Sequence, residues 1–114
     1  MVVSTRVAAL ITTFNDRLSL ISCLQSLVTQ SYEITSILVI DNSYESQVDL
    51  VDFPNVCIEI QHYPHNLGVA GALKHGIEWA IEHQFDYLWT FDQDSTVSFD
   101  ALEILIESSN LLIS

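Results

Sequence analysis

Asp92 and Asp94 stand one residue apart at the end of the apolar run Leu88-Trp89-Thr90-Phe91. Carboxylates are hard oxygen donors, and a close pair of them suits Mg²⁺ or Mn²⁺. Side chains at i and i+2 of a strand point the same way. If the extended backbone continues to Asp94, both carboxylates therefore face one cation. A similar junction occurs twice more: Val7 to Phe14 ends at Thr13-Phe14-Asn15, and Ile34 to Ile40 stops at Asp41-Asn42-Ser43. Parallel α/β sheets bind ligands just beyond the carboxyl ends of their strands. Each position alone has a bland reading. Asp-x-Asp is also a solvated turn, Asp41 a cap, Phe14 a core residue, and Gly68 and Gly71 turn or packing residues.

The elements that must position these residues follow from hydrophobic periodicity. Residues 7–14 form a continuous apolar, β-branched run, which predicts a strand buried on both faces. Asn15-Asp16 ends it and supplies a helix cap. From Arg17 to Gln30, Leu18, Ile21, Leu24, Leu27 and Val28 recur at helical spacing. Residues 34–40 give a second strand, and 44–52 an acidic connection with room for one short helix. Val56 to Tyr63 alternates apolar and polar residues, as a half-exposed edge strand does. Pro64 to Gly68 is a loop. Val69 to His83 is a second helix with Leu73, Ile77, Ala80 and Ile81 on its apolar side. Residues 85–91 form the fourth strand, and Ser98 is placed to cap a last helix from Phe99 to about Leu112. The alternation predicts one α/β domain over residues 1–114, a Rossmann-like parallel sheet in the order 3-2-1-4 with helices on both faces.

Composition narrows the function. The chain has 114 residues, 15 acidic against three basic, and a formal net charge of −12. Arg6, Arg17 and Lys74 are too few to neutralise a phosphate backbone, so nucleic-acid binding is excluded as a function class. A small anion is still compatible, provided that a cation held by Asp92 and Asp94 offsets its charge. Nearly half of the residues are hydrophobic, 49%, but no run is long enough to span a bilayer. Cys23 and Cys57 lie far apart in apolar settings and are expected to be buried thiols of a reducing compartment. The N-terminus shows no signal-peptide pattern. A cytoplasmic location is expected, with a peripheral place at the inner membrane face compatible with it.

Taken in order, the motifs resemble those of the family 2 glycosyltransferases of the GT-A fold. Leu10-Ile11-Thr12-Thr13-Phe14-Asn15 is similar to the family's opening motif and Val39-Ile40-Asp41-Asn42-Ser43 to its second. Asn66-Leu67-Gly68-Val69-Ala70-Gly71, followed by Gly76, resembles its glycine-containing third. Asp92-Gln93-Asp94 matches its Asp-x-Asp signature, and Asp92-Gln93-Asp94-Ser95 is closest to the rhamnosyltransferase branch. The resemblance runs from about residue 6 to the end. It implies binding of a nucleotide-diphosphate sugar, dTDP- or UDP-linked, with dTDP-rhamnose one example. It implies transfer of that sugar to a sugar or lipid-linked glycan acceptor in polysaccharide or cell-surface glycan synthesis.

Roles follow by the same resemblance. Thr13, Phe14 and Asn15 face the nucleotide, with Phe14 stacking beside the base. Asp41 accepts a hydrogen bond from the base imide, and Asn66 and Gly68 let the backbone approach the donor. Lys74 stands where many relatives carry Asn; it is either a phosphate contact or a solvated helix residue. Asp92 binds the ribose side or a metal-bound water, and Asp94 binds the divalent cation, Mg or Mn. Family members continue beyond the Asp-x-Asp strand into the acceptor half, which carries the general base of inverting enzymes. The chain is therefore expected to be a donor-binding half, truncated at its C-terminus. It is expected to form a homodimer through residues 85–91 and 99–113, where Tyr87, Trp89 and Phe91 line an edge strand. Two other readings compete. Asp92-Gln93-Asp94-Ser95-Thr96-Val97 also fits the first motif of haloacid dehalogenase-like phosphatases, although no Lys or Arg follows it. A non-catalytic nucleotide-binding remnant is the third.

Overall fold

The apolar run Val7–Thr13 is strand β1, and the sheet is built outward from it. The computed structural model describes residues 5–46 and 56–113, with residues 109–113 as backbone alone. After β1 come helix α1 (Arg17–Val28), strands β2 (Ser36–Asp41) and β3 (Cys57–His62), helix α2 (Gly68–Glu82), strand β4 (Tyr87–Asp92) and helix α3 (Ala101–Ile113). The sheet order is β3-β2-β1-β4, and all three pairings are parallel. This is the expected 3-2-1-4 sheet. The four expected strands and three expected helices all form, with ends shifted by at most two residues. Most of the 44–52 connection lies outside the described residues.

β1 and β2 are apolar on both faces because helices cover both. Val7, Ala9 and Ile11 join Ile37 and Val39 in one core with Leu20, Cys23, Leu24 and Leu27 of α1 and Leu102 of α3. Ala8 and Leu10 join Leu38 and Ile40 in a second core under Ala72, Trp79 and Ala80 of α2. β3 and β4 are the edges, and their residues are at most half-buried.

Four local expectations need correction. Leu18 is exposed; α1 buries Leu24 and Leu27 as expected, and Leu20 and Cys23 with them. Cys23 falls on that face, which makes the stripe continuous. On α2, Leu73, Ile77 and Ile81 are exposed while Ala72, Gly76, Trp79 and Ala80 are buried. The physical reason is close approach: a Cβ on Gly76 would lie 2.4 Å from Leu10 Cδ2. The small residues let α2 lie against β1, and this turns its aliphatic stripe outward. Cys57 is exposed, because it opens an edge strand; Cys23 is buried as expected. The first turn of α3 is served by the Ser98 carbonyl, which accepts from the Ala101 amide at 3.1 Å, and by a distant residue. Gln30, just past α1, accepts from the Leu102 amide at 3.0 Å and donates to the Ser98 carbonyl at 2.8 Å. The cap of α1 is as expected: Asp16 accepts from the Ser19 amide at 3.1 Å and from its hydroxyl at 2.7 Å. These two bonds hold the Asp16 carboxyl below its ordinary value.

At the amino edge of the sheet, Arg6 joins β1 to the end of α2. Its guanidinium donates to the His83 carbonyl at 2.9 Å and lies 4.6 Å above the Phe85 ring. Among the described residues, no helix is long and apolar enough to cross a membrane.

Candidate functional site

The register brings three strand ends level. Thr13 of β1 pairs with Asp41 of β2, and Thr12 pairs with Asp92 of β4. The ladder runs one step further on each side, through Asn42 N–H to the Thr13 carbonyl and Gln93 N–H to the Thr12 carbonyl. Beyond this edge lies an open cleft of about 420 Å³, lined by Thr12, Thr13, Phe14, Asn42, Asn66, Gly68, Val69, Asp92, Gln93 and Asp94. The cleft thus gathers Thr13, Phe14, Asn66, Gly68, Asp92 and Asp94, six of the residues singled out in the sequence.

The two carboxylates arrive there by a route that strand alternation did not foresee. β4 ends at Asp92, and the Ser95 amide bonds back to the Asp92 carbonyl at 3.1 Å. The extended backbone therefore does not persist to Asp94; a turn carries Asp94 back to the cleft. Both carboxylates also lie near α1. Burial first, then Asp94 and Asp92, push the Cys23 thiol up to about 11. A smaller pocket of about 180 Å³ between Leu18, Ser19, Ser22 and Thr96 shares Gln93 and Asp94 with the cleft.

Phe14 leaves β1 half-exposed, with 51% of its surface open, so it is not a core residue. Its backbone is gripped by Gln93. The Gln93 Oε1 accepts from both the Phe14 amide and the Thr13 hydroxyl, and its Nε2 donates to the Phe14 carbonyl at 3.0 Å. Asn15 follows in the left-handed region at φ 51°, and its amide donates to Ser43 Oγ at 2.7 Å. Asn15 is exposed and stands outside the residues lining the cleft.

Asp41 is fully buried behind this edge. Its Oδ1 accepts from the Ser43 amide at 3.0 Å, which folds Asp41-Asn42-Ser43 into a tight exit. Ser43 in turn meets His62 Nε2 at its carbonyl, 2.8 Å away. Asn42, not Asp41, is the member of this exit that reaches the cleft.

The loop before α2 is shaped by its own side chains. Asn66 sits at φ 55° and Gly68 at φ 72°, a region that Asn and Gly occupy at least cost. The Gly68 amide donates to Asn66 Oδ1 at 2.8 Å, and the Leu67 amide to Asn42 Oδ1 at 3.0 Å. The N-cap position, Leu67, offers no side chain to the first turn of α2; Asn66 takes the Gly68 amide, and the N–H groups that follow it begin the helix beside the cleft. Lys74, exposed less than two turns along α2, does not line the cleft.

Sequence reasoning passed over Thr12, Asn42 and Gln93. Thr12 carried a signal, because it borders a strand end. The other two did not, because each acts through a partner at least 25 residues away. Among the described residues no three His, Cys, Asp or Glu side chains gather as a metal cage. Two carboxylates fit Mg²⁺ or Mn²⁺, which takes its other positions from water and substrate phosphate.

The same architecture recurs in known proteins. Thirty chains of solved structures match this one. The crystal structure of S. aureus TarS superposes with a TM-score of 0.64 at 14% identity, over 90% of this chain and 19% of that chain. This chain therefore spans about a fifth of the TarS chain, and the likeness is one of fold, the GT-A sheet. No curated protein matches by sequence. A family model does, over residues 8–110, from β1 through the Asp92-Gln93-Asp94 turn and into α3, and by that match the chain belongs to Glycosyl transferase family 2.

Proposed function

We propose that this domain binds the donor substrate of a glycosyl transfer, a nucleoside diphosphate sugar, across the carboxyl edge of its sheet. The observation that carries the reading is the make-up of the cleft. It holds two carboxylates, an exposed aromatic ring and the amino end of a helix, and among the described residues no basic side chain lines it. A diphosphate cannot settle on Asp92 and Asp94 unless a cation lies between. The amino end of α2 favours the same anion through its N–H groups and dipole.

On this reading Phe14 offers the ring face to the base, and Thr13 is held at the base of the same wall. Asp92 and Asp94 would hold Mg²⁺ or Mn²⁺, with Asp92 also within the donor's reach. The cation, when bound, acts as a Lewis acid that steadies the negative charge developing on the departing diphosphate. Asn66 and Gly68 shape the opposite wall, and Val69 opens the helix toward the phosphates. UDP- and dTDP-sugars are the donors proposed, with dTDP-rhamnose the first to try. Sugar and lipid-linked glycan acceptors are the proposed second substrates of the whole protein.

Calorimetry with UDP, dTDP and GDP, each with Mn²⁺ and with EDTA, tests the proposal. A pyrimidine diphosphate should bind with Mn²⁺ and lose at least about tenfold in affinity without it, a difference of about 1.4 kcal/mol. Asp94→Ala should bind as weakly with Mn²⁺ as the parent does with EDTA. Equal binding with and without the metal would refute the assignment of Asp94.

A further inference from the structure

We propose that Gln93 is a positioning residue that couples the cation to the base, by fixing Phe14 to the Asp92–Asp94 turn. The inference rests on the donor-binding reading above and deepens it.

Gln93 lies between the two carboxylates in sequence, yet its side chain does not join them. It crosses to β1. One oxygen takes the Phe14 amide and the Thr13 hydroxyl, and the amide nitrogen gives to the Phe14 carbonyl at 3.0 Å. A primary amide is the side-chain group that offers an acceptor and a donor side by side. Here it pairs with the backbone of Phe14 as a neighbouring strand would. Phe14 lines the cleft with 51% of its surface open, so its backbone clamp decides where its ring stands.

The consequence is mechanical. Asp92 and Asp94 are the immediate neighbours of Gln93, and the turn bond from Ser95 to Asp92 makes the segment one short unit. A cation that draws the two carboxylates together shifts the Gln93 backbone between them. The clamp passes that shift to Phe14. Base and cation then report on each other without touching, and by linkage each raises the affinity of the other by the same factor.

The test uses the full chain, Mg²⁺ and two phosphate-free nucleosides, uridine and thymidine. Neither nucleoside has a phosphate to bridge to the metal, so any coupling passes through the protein. In the parent chain, Mg²⁺ alone should move the Phe14 amide resonance. It should also tighten the better nucleoside by about fivefold, the lower end of ordinary coupling between sites. In Gln93→Met, which keeps the length of the side chain and removes the clamp, Mg²⁺ should still bind but leave the Phe14 resonance and the nucleoside affinity unmoved. Gln93→Asn, too short to span the gap, should do the same, and thermal unfolding of both variants checks that they fold. A merely structural Gln93 would lower the melting temperature and leave the coupling factor intact, and that result overturns the proposal. A parent chain that binds UDP with Mg²⁺ but whose nucleoside affinity ignores Mg²⁺ overturns this inference alone. A parent chain that binds no pyrimidine nucleotide under any condition overturns the donor-binding reading as well.

Discussion

Replacing Gly76 with alanine tests whether α2 is seated on the sheet by the lack of a side chain. The added methyl would lie 2.4 Å from Leu10 Cδ2, 3.0 Å from Cδ1 and 3.1 Å from Cγ. Leu10 is 2% exposed and packed among Ala8, Leu38 and Ile40. Turning its terminal methyls cannot relieve the contact, because Cγ is close as well. Forcing a methyl into a filled core costs about 1–3 kcal/mol. Alanine regains about 1 kcal/mol over glycine inside a helix. The net expectation is a loss of about 1 kcal/mol, or a fall of about 4 °C in Tm for a domain of this size. Urea unfolding measures it directly. The sign should reverse in a Leu10→Ala background, where the methyl enters the space that the leucine vacated and the helix preference acts unopposed. The clash also has a functional reading, since lifting α2 moves Gly68 and Val69 away from Thr12. UDP binding with Mn²⁺ should weaken in Gly76→Ala and recover in part in the double variant. A Gly76→Ala chain that melts above the parent, or effects of the two substitutions that simply add, would refute the close-packing argument.

Other expectations can be checked with the same chain. Asp41→Asn keeps an oxygen for the Ser43 amide and should fold, whereas Asp41→Ala should lose about 1–3 kcal/mol by leaving that buried amide unpaired. If Asp41 also accepts the base imide, Asp41→Asn weakens UDP by about tenfold or more, the loss of a charge-assisted bond; unchanged affinity restricts Asp41 to holding the exit of β2. A thiol reagent at pH 8 should modify Cys57 rapidly and Cys23 only on unfolding, as followed by mass spectrometry. Because Cys23 is raised to about 11 in the folded chain from an ordinary value of 9.0, the unfolded chain gives up that proton first as pH rises. Stability from this group is complete below pH 9 and declines between pH 9 and 11, and the Cys23→Ala chain should lack that decline in urea titrations at stepped pH.

The sheet was legible in the sequence because each strand carries its own signal. The runs at 7–14 and 34–40 are apolar on both faces only where helices cover both, and 56–63 alternates because it lies at an edge. The helix faces were harder to read. α2 carries two candidate stripes, and a reader who weighs bulk picks Leu73, Ile77 and Ile81. Close approach picks Ala72, Gly76 and Ala80, and only the distance from α2 to Leu10 decides between them. The strand-end residues Thr13, Phe14, Asp92 and Asp94 were legible by position, and Asn66 and Gly68 by resemblance. Asn42, Gln93 and Gln30 were not, since a side-chain amide in a loop has no periodicity and reveals its partner only after the chain has folded. Cys57 was misjudged because its apolar neighbours, Val56 and Ile58, belong to the start of an edge strand.

The contacts that close the cleft also set an order in time. Thr13 meets Gln93 across 80 residues of chain, Asn15 meets Ser43 across 28, and Leu67 meets Asn42 across 25. None of them forms within a single local turn. β4 joins β1 across all the chain that makes β2, β3 and α2, and long loops of this kind close slowly. A nucleotide that meets the chain early in folding therefore finds no cleft to enter. If the domain binds its donor as proposed, the nucleotide acts on the finished sheet, where it would hold β4 against β1, so it should retard the opening of the molecule and leave the rate of its assembly unchanged.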